Sequence, residues 1–369
     1  MFAQESLHDS LFLMLYGAVA ILALVSGLYL WLRRSNGFLP DVNPPIALRR
    51  WTAAFLITAA LSHVWWYVLG VYCLTDDRLV RNITAVTLDH VLLVPLVMAI
   101  LLRMLQDRQR PLWPWFLTQV PILVAAVVGI VRHDGFYGFD LTTYWQLAVM
   151  VIFVLYFIHE LIHYGRWLRE NYADLEHKEV WQSLLFATVL FVVYEVYFTN
   201  PGEMLREYLA QFETLAIICF LLWRVETLQN LSNKLPDNKQ VKEPLIEKPA
   251  SVVFPTSINI QKELKTHCEA KQLYLQYDLT LQQLATAIGT NRTYLSNYFT
   301  QQGITYNIYI NRLRVDHFKR LYRKSVDSKN GATALQLSHD SGFRSYSTFA
   351  TAFKMFNGVT VGAWMKKPE

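Results

Sequence analysis

Long apolar stretches recur through the first 224 residues of this 369-residue chain and restrict its fold more than any other feature. Crossing about 30 Å of hydrocarbon takes about 20 apolar residues in a helix, and most of these stretches reach that length. The composition agrees, since 53% of the residues are hydrophobic and the mean hydropathy is +0.21, too apolar for an ordinary soluble pair of domains. The pattern predicts seven membrane-spanning helices, near residues 10–32, 51–74, 83–105, 111–131, 141–163, 181–199 and 207–223.

The loops between these predicted spans differ in positive charge. The first, third and fifth loops carry ten Lys and Arg in total, whereas the second, fourth and sixth carry four. Loops rich in Lys and Arg tend to stay in the cytoplasm. We therefore expect the N-terminus outside, the C-terminus in the cytoplasm, and a multi-pass protein in contact with membrane lipid.

The predicted fifth span contains the sequence HELIH, from His159 to His163. On a helix this pattern places two imidazoles on one face as zinc ligands and leaves the glutamate as a general base. A catalytic zinc needs a further ligand at the same depth, but Glu195 is expected about 21 Å from the cytoplasmic side. We therefore predict no enzyme, no cofactor and no metal, with Glu160 at the membrane border or paired with Arg166. An intramembrane zinc metalloprotease, or a metal sensor at His159, Glu160 and His163, is the alternative.

Several ionisable side chains fall inside the predicted spans. Such groups are costly in lipid, so they should face the interior of the helix bundle. There they either pair and lock the helices together or line a cavity for an unknown small-molecule or protein signal. The candidate residues for this signal pocket are His63, Asp89, His90, Glu195 and Glu213.

The character of the chain changes after residue 224. Four apolar residues at helical spacing, from Val225 to Leu235, favour either a continuation of the last helix or a seam for a homodimer. Residues 235–257 contain four prolines and many polar residues, which predicts a linker. Residues 258–369 then hold 15 Lys and Arg against 7 Asp and Glu, a net charge of +8, while the rest of the chain has −3. The basic segment indicates a polyanionic partner.

Two short amphipathic helices are predicted early in this basic segment. In LTLQQLATAIGTNRTYLSNYF, the first helix ends at Gly289, Asn291 can cap the second, and Leu295 and Phe299 form the buried face of the second. Two such helices with a tight turn form a helix-turn-helix, whose second helix reads DNA in the major groove. The exposed residues of that helix, proposed to contact DNA, are Arg292, Thr293, Ser296, Asn297 and Thr300.

The arrangement recurs in LQLSHDSGFRSYSTFATAFKMF, with a turn at Gly342 and a second helix that buries Phe349 and Phe353. The connecting segment YNIYINRLRVDHFKRLYRK predicts one helix with Arg312, Arg314, Lys319, Arg320 and Arg323 on its wet face. In the second unit, the proposed DNA contacts are Arg344, Ser345, Ser347, Thr348 and Thr351.

Four motifs in this segment carry a family resemblance: LTLxxLA at 279–285, YLSxxF at 294–299, NRLR at 311–314, and GFxxxSxFxxxFKxxxGxT at 342–360. They resemble the DNA-binding domain of the AraC/XylS family of bacterial transcription regulators. The resemblance covers about the last 110 residues and implies an all-helical domain with two recognition helices on one face of the DNA.

The chain departs from this family pattern at three positions and in one segment. It has Val361 where the family usually has proline, Thr351 where the family has Arg or Lys, and Ser341 where the family has an apolar residue. The segment SVDSKNGA, from Ser325 to Ala332, is also longer than usual. The second unit is therefore expected to anchor phosphates more than to read bases.

Together these patterns predict an all-α protein with three parts. Residues 1–224 form a seven-span transmembrane sensor, 225–257 a juxtamembrane helix and linker, and 258–369 a double helix-turn-helix domain. The expected function is a transcription regulator in the bacterial cytoplasmic membrane that binds double-stranded DNA. A receptor whose tail binds a protein is a further alternative.

Overall fold

In a computed structural model, the described residues are 9–37, 44–70, 75–198, 203–231, 257–327 and 331–366. Within these ranges the side chains of 70, 190–198, 203 and 257–259 lie outside the description. The described residues form helices and no strand, which confirms the predicted all-α class. The chain divides into a bundle unit, Met1–Tyr164 with Val180–Lys234, and a C-terminal unit, Gly165–Glu179 with Leu235–Glu369.

The bundle unit is built mainly from long apolar helices. Six segments are long and apolar enough to cross a membrane: Ser10–Leu32, Ile46–Leu69, Arg78–Met104, Trp113–Arg132, Phe136–Asn171 and Met204–Thr227. They correspond to six of the seven predicted spans. The helices are α1 (Ser10–Leu32), α2 (Ile46–Gly70), α3 (Arg78–Met104), α4 (Trp113–Leu117), α5 (Val120–Arg132), α6 (Leu141–Asn171), α7 (Trp181–Phe198) and α8 (Glu203–Thr227).

Helix α7 has 18 residues and lies where the sixth span is predicted. Because its side chains from residue 190 onward lie outside the described ones, the count of seven spans stays a prediction.

Local sequence explains where the helices begin and how closely they pack. Asp9 caps α1 and Asp77 caps α3, each accepting two backbone N–H groups. A Cβ on Gly27 would lie 3.2 Å from the carbonyl oxygen of Ala53, so this glycine lets α1 approach α2 closely.

Many large apolar side chains cover the outside of the bundle unit. Val131, Leu32 and Met14 are 79%, 75% and 72% exposed. Soluble monomers rarely expose contiguous apolar patches this extensive. The surface is compatible with lipid around the bundle.

The C-terminal unit has two apolar cores joined by one helix. The first contains Leu284 and Phe299, and the second contains Phe343 and Phe349. The connecting helix places Ile310 in the first core and Phe318 in the second, as its apolar spacing predicts. The helices are α9 (Ser257–Glu263), α10 (Leu281–Ala287), α11 (Arg292–Gln301), α12 (Tyr306–Asp327), α13 (Ala334–Asp340), α14 (Tyr346–Asn357) and α15 (Val361–Lys366).

One residue that the sequence predicts on the solvent-exposed face of α12 is buried instead. Arg314 is 1% exposed, and its guanidinium donates to the carbonyl oxygens of Tyr274 at 2.8 Å and Gln276 at 2.7 Å. Burial lowers the pKa of Arg314 below its usual range. The prediction was wrong for this arginine because it satisfies three backbone carbonyls of a loop distant in sequence, including that of Tyr277.

Candidate nucleic-acid interface

The first helix-turn-helix is formed by α10 and α11. Thr280 and Gln283 form a capping box at the start of α10. Gly289 has φ +71°, a left-handed conformation that glycine adopts without steric cost, and it makes the turn. Asn291 accepts the backbone N–H of Tyr294 at 2.9 Å and caps α11. The predicted turn and cap are confirmed.

The polar residues of α11 lie on the side of the helix opposite the core. Leu295 and Phe299 are buried. Thr293, Asn297 and Thr300 are exposed, while Arg292 and Ser296 are partly exposed. The five residues recur at helical spacing and form one stripe, which we call the first polar stripe.

The second helix-turn-helix, formed by α13 and α14, repeats this construction. Thr333 and Gln336 form a second capping box. Gly342 has φ +87°, and a Cβ there would lie 2.8 Å from the Cα of Leu275, so both conformation and space require glycine. Ser341, a polar residue at a position where the AraC/XylS pattern has an apolar one, is fully buried and donates to the Leu337 carbonyl at 2.6 Å, which satisfies its hydroxyl.

The exposed face of α14 carries the other predicted DNA contacts. Ser347 and Thr351 are exposed, and Thr348 is partly exposed. Ser345 is the N-cap of α14 and bonds the N–H of Thr348, so its hydroxyl is already used in the helix start. Lys354, which sequence reasoning missed, is exposed one turn after Thr351. It supplies a positive charge on this face, and its spacing of seven residues from Ser347 was the available signal.

Arg344 precedes α14 and has a charged neighbour within the unit. Its guanidinium lies 3.6 Å from the carboxylate of Asp278, and both side chains are 29% exposed. At that exposure, solvent weakens the ion pair. The guanidinium therefore remains accessible to a phosphate.

The HELIH segment has a different arrangement from a metalloprotease site. His159 and His163 are exposed, whereas Glu160 is 2% exposed. The Glu160 carboxylate accepts from Arg108 at 2.6 and 2.7 Å and from Arg110 at 2.6 Å. The expected pairing with Arg166 was wrong, because the loop after α3 brings these two arginines to Glu160.

Two paired arginines neutralise the carboxylate that a protease would use as its base. Among the residues that the structure describes, no group of three His, Cys, Asp or Glu is placed to hold a metal ion. What the geometry assigns to Glu160 is an ion pair that fastens α6 to the loop after α3.

The candidate signal-pocket residues are placed in several contacts between helices. Asp89 accepts from Ser62 at 2.6 Å and from Trp66 at 2.7 Å, and the Nε2 atom of His63 lies 3.1 Å from the side-chain oxygen of Gln211. These bonds join α2 to α3 and α2 to α8. The partners Ser62, Trp66 and Gln211 lie outside the candidate set, so pairing of the candidates with one another stays a prediction.

The remaining three pocket candidates are His90, Glu195 and Glu213. Glu213 is partly buried on α8. The Nδ1 atom of His90 is buried with no hydrogen-bond partner in the described part of the chain. The side chain of Glu195 lies outside the described residues. A cavity that joins all five therefore stays a prediction.

Comparison with known families bears on the C-terminal unit. A family model described as a helix-turn-helix domain matches residues 284–367. The match runs from within α10 through α15 and so includes both polar helix faces. No curated protein and no solved structure matches the chain.

Proposed function

We propose that this chain, whose C-terminal domain is an AraC-type DNA-binding domain, is a membrane-anchored transcription regulator that couples a signal sensed in or across the membrane to gene expression. The observation that carries the proposal is the pair of helix-turn-helix units, each with a polar face on its second helix. The connecting helix α12 contributes side chains to the cores of both helix-turn-helix units. This arrangement suits binding of the two recognition helices in successive major-groove segments on one face of the DNA.

The chemistry of the two faces suits different parts of the duplex. Arg292 can bond guanine edges or phosphates, and Asn297 can pair with an adenine edge. The short hydroxyl side chains of α14, together with Lys354 and Arg344, suit phosphate oxygens. The basic charge of the C-terminal segment favours both contacts.

The membrane part of the proposal is supported by the six long apolar helices and by the apolar exterior of the bundle unit. DNA lies in the bacterial cytoplasm, and the charged loops predict the C-terminus on that side. We propose a location in the bacterial cytoplasmic membrane. The signal would be a small molecule or a protein, and residues 225–235 would provide a homodimer seam.

The test of DNA binding uses the full chain in lipid nanodiscs and a random pool of double-stranded DNA. Wild type should enrich a defined sequence, with an affinity that falls as salt rises. Arg292→Ala and Asn297→Ala should each weaken binding of the enriched duplex by about tenfold. Lys262→Ala is the charge control for Arg292→Ala, since Lys262 is exposed on α9 and lies on neither recognition helix.

The result separates the proposal from its alternatives. If the wild-type protein enriched no sequence, base recognition by α11 would be contradicted. Equal losses of affinity in Arg292→Ala and Lys262→Ala would contradict it as well. A tail that binds only a protein partner would show no duplex retention at any salt concentration.

A further inference from the structure

The end of α6 and the loop before α7 belong to the C-terminal unit, although the rest of that unit begins only about 55 residues later, at Leu235. Residues 165–171 are the last turns of α6, and residues 172–179 follow as a loop. We call Gly165–Glu179 the docking segment.

Hydrogen bonds to its backbone carbonyl groups hold the docking segment against the domain. The side-chain amide of Asn307 donates to the carbonyl oxygens of Ala173 at 2.6 Å and Tyr172 at 3.2 Å, and that of Asn311 also donates to Ala173 at 3.2 Å. The two amides are four residues apart on α12 and so share one face. Tyr172 also forms an antiparallel backbone bridge with Thr280, the cap of α10.

The docking segment also completes the first apolar core. Ala173 is 1% exposed and packs in the cluster that contains Leu284 of α10 and Phe299 of α11. Its neighbour Tyr172 is 2% exposed. A short stretch of loop with so little exposure behaves as part of the domain interior.

Electrostatic contacts link the docking segment to residues that are proposed to contact DNA. The ammonium of Lys178, itself 1% exposed, lies 3.6 Å from the carboxylate of Asp278, which also faces Arg344. Burial raises the pKa of Tyr172 to about 12, and the positive charge of Arg292 offsets part of this rise. The docking segment therefore lies beside the starts of both recognition helices.

We propose that the docking segment is a detachable part of the first helix-turn-helix unit, and that its attachment is the switch by which the membrane bundle controls DNA binding. The inference rests on the proposed function. When the segment is docked, it fills the first core and fixes Thr280 at the start of α10. When it leaves, Ala173 vacates that core, Asn307 and Asn311 lose their acceptors, and the first polar stripe loses its fixed position. Because α6 is one helix that ends in this segment, a change in α6 acts on the docked state directly.

The experiment changes only the docking segment and leaves the sequence of the DNA-binding domain intact. In the full chain in nanodiscs, Ala173→Asp would place a carboxylate in the first apolar core. The control is Arg169→Asp, because Arg169 is exposed in the same segment. Hydrogen exchange is measured on peptides that cover residues 172–180 and 305–314. Binding affinity is measured for the DNA duplex that the wild-type protein enriches from the random pool.

For Ala173→Asp we expect faster hydrogen exchange in both peptides and an affinity for the duplex that is lower by about tenfold or more. For Arg169→Asp we expect neither change. Lys178→Met, which removes the charge while keeping most of the side-chain volume, should give a smaller shift in the same direction. Retained protection of the bundle helices verifies that the variants fold.

Three outcomes would overturn the proposal: unchanged exchange in Ala173→Asp, released peptides with unchanged affinity, or released peptides with raised affinity. Failure of the proposed function looks different. In that case wild type itself binds no duplex, while the exchange measurement still reports whether the segment docks.

Discussion

At the scale of single residues, the buried charges depend on partners that are distant in sequence. Glu160 is paired with Arg108 and Arg110, about 50 residues earlier, and Arg314 bonds carbonyls about 40 residues earlier. Sequence spacing suggested Arg166 for Glu160 and solvent for Arg314 instead, because helical periodicity describes only contacts within one element. The residues that cap and turn the helices were predictable, since Asn291 and Gly289 act within their own turn.

The Glu160 ion pair leads to a prediction that separates a structural role from a catalytic one. Glu160→Gln leaves the buried Arg110 with Asp107 as its remaining carboxylate partner, so we expect a loss of about 3 kcal/mol in bundle stability. His163→Gln removes the same motif at an exposed residue and leaves Arg108 and Arg110 on Glu160, so stability should be unchanged. Thermal unfolding of the purified chain in detergent, with and without a chelator, measures both variants. Equal destabilisation by His163→Gln and by the chelator would instead support a metal site.

At the scale of elements, the predicted spans agree with the observed helices to within a few residues at most ends. The largest difference is at the C-terminal end of α6, which runs to Asn171 instead of residue 163. Two helices begin earlier than predicted: α2 at Ile46 instead of residue 51, and α3 at Arg78 instead of residue 83. Both helices include arginines in their first turns, which the apolar pattern alone cannot assign to a helix. Hydropathy locates the part of a helix that suits lipid, whereas capping and backbone hydrogen bonds decide where the helix begins.

The two helix-turn-helix turns offer a matched comparison at this scale. Gly289→Ala adds a methyl group with no atom within 4 Å, so only the left-handed backbone should cost stability, by about 1 kcal/mol. Gly342→Ala adds the same strain and a clash with the backbone of Leu275, so we expect about 3 kcal/mol. Hydrogen exchange of α10–α11 and α13–α14 peptides in the full chain measures the opening free energy of each unit. Equal losses at the two glycines would show that the Leu275 contact relaxes without cost.

At the scale of the whole molecule, the sequence predicted an apolar bundle followed by a helix-turn-helix domain, and one stretch inside the first region has contacts that the sequence does not indicate. Residues 165–179 were predicted as part of the membrane sensor, and the structure groups them with the C-terminal unit. Their sequence shows no helix-turn-helix motif, because Ala173 and Tyr172 engage the domain mainly through burial and backbone carbonyls. Contacts of that kind leave no signature in residue type, so they become visible only when the chain is folded.

Membrane topology gives a test at the same scale. The charged loops predict that Ser35, before α2, lies in the cytoplasm and that Arg132, at the end of α5, lies outside; both residues are exposed. In a chain whose three cysteines are replaced by serine, Arg132→Cys should react with a membrane-impermeant maleimide on intact cells. Ser35→Cys should react only after the cells are lysed. The reverse labelling would place the C-terminal unit outside, away from any DNA, and so would contradict the membrane orientation on which the proposed regulator depends.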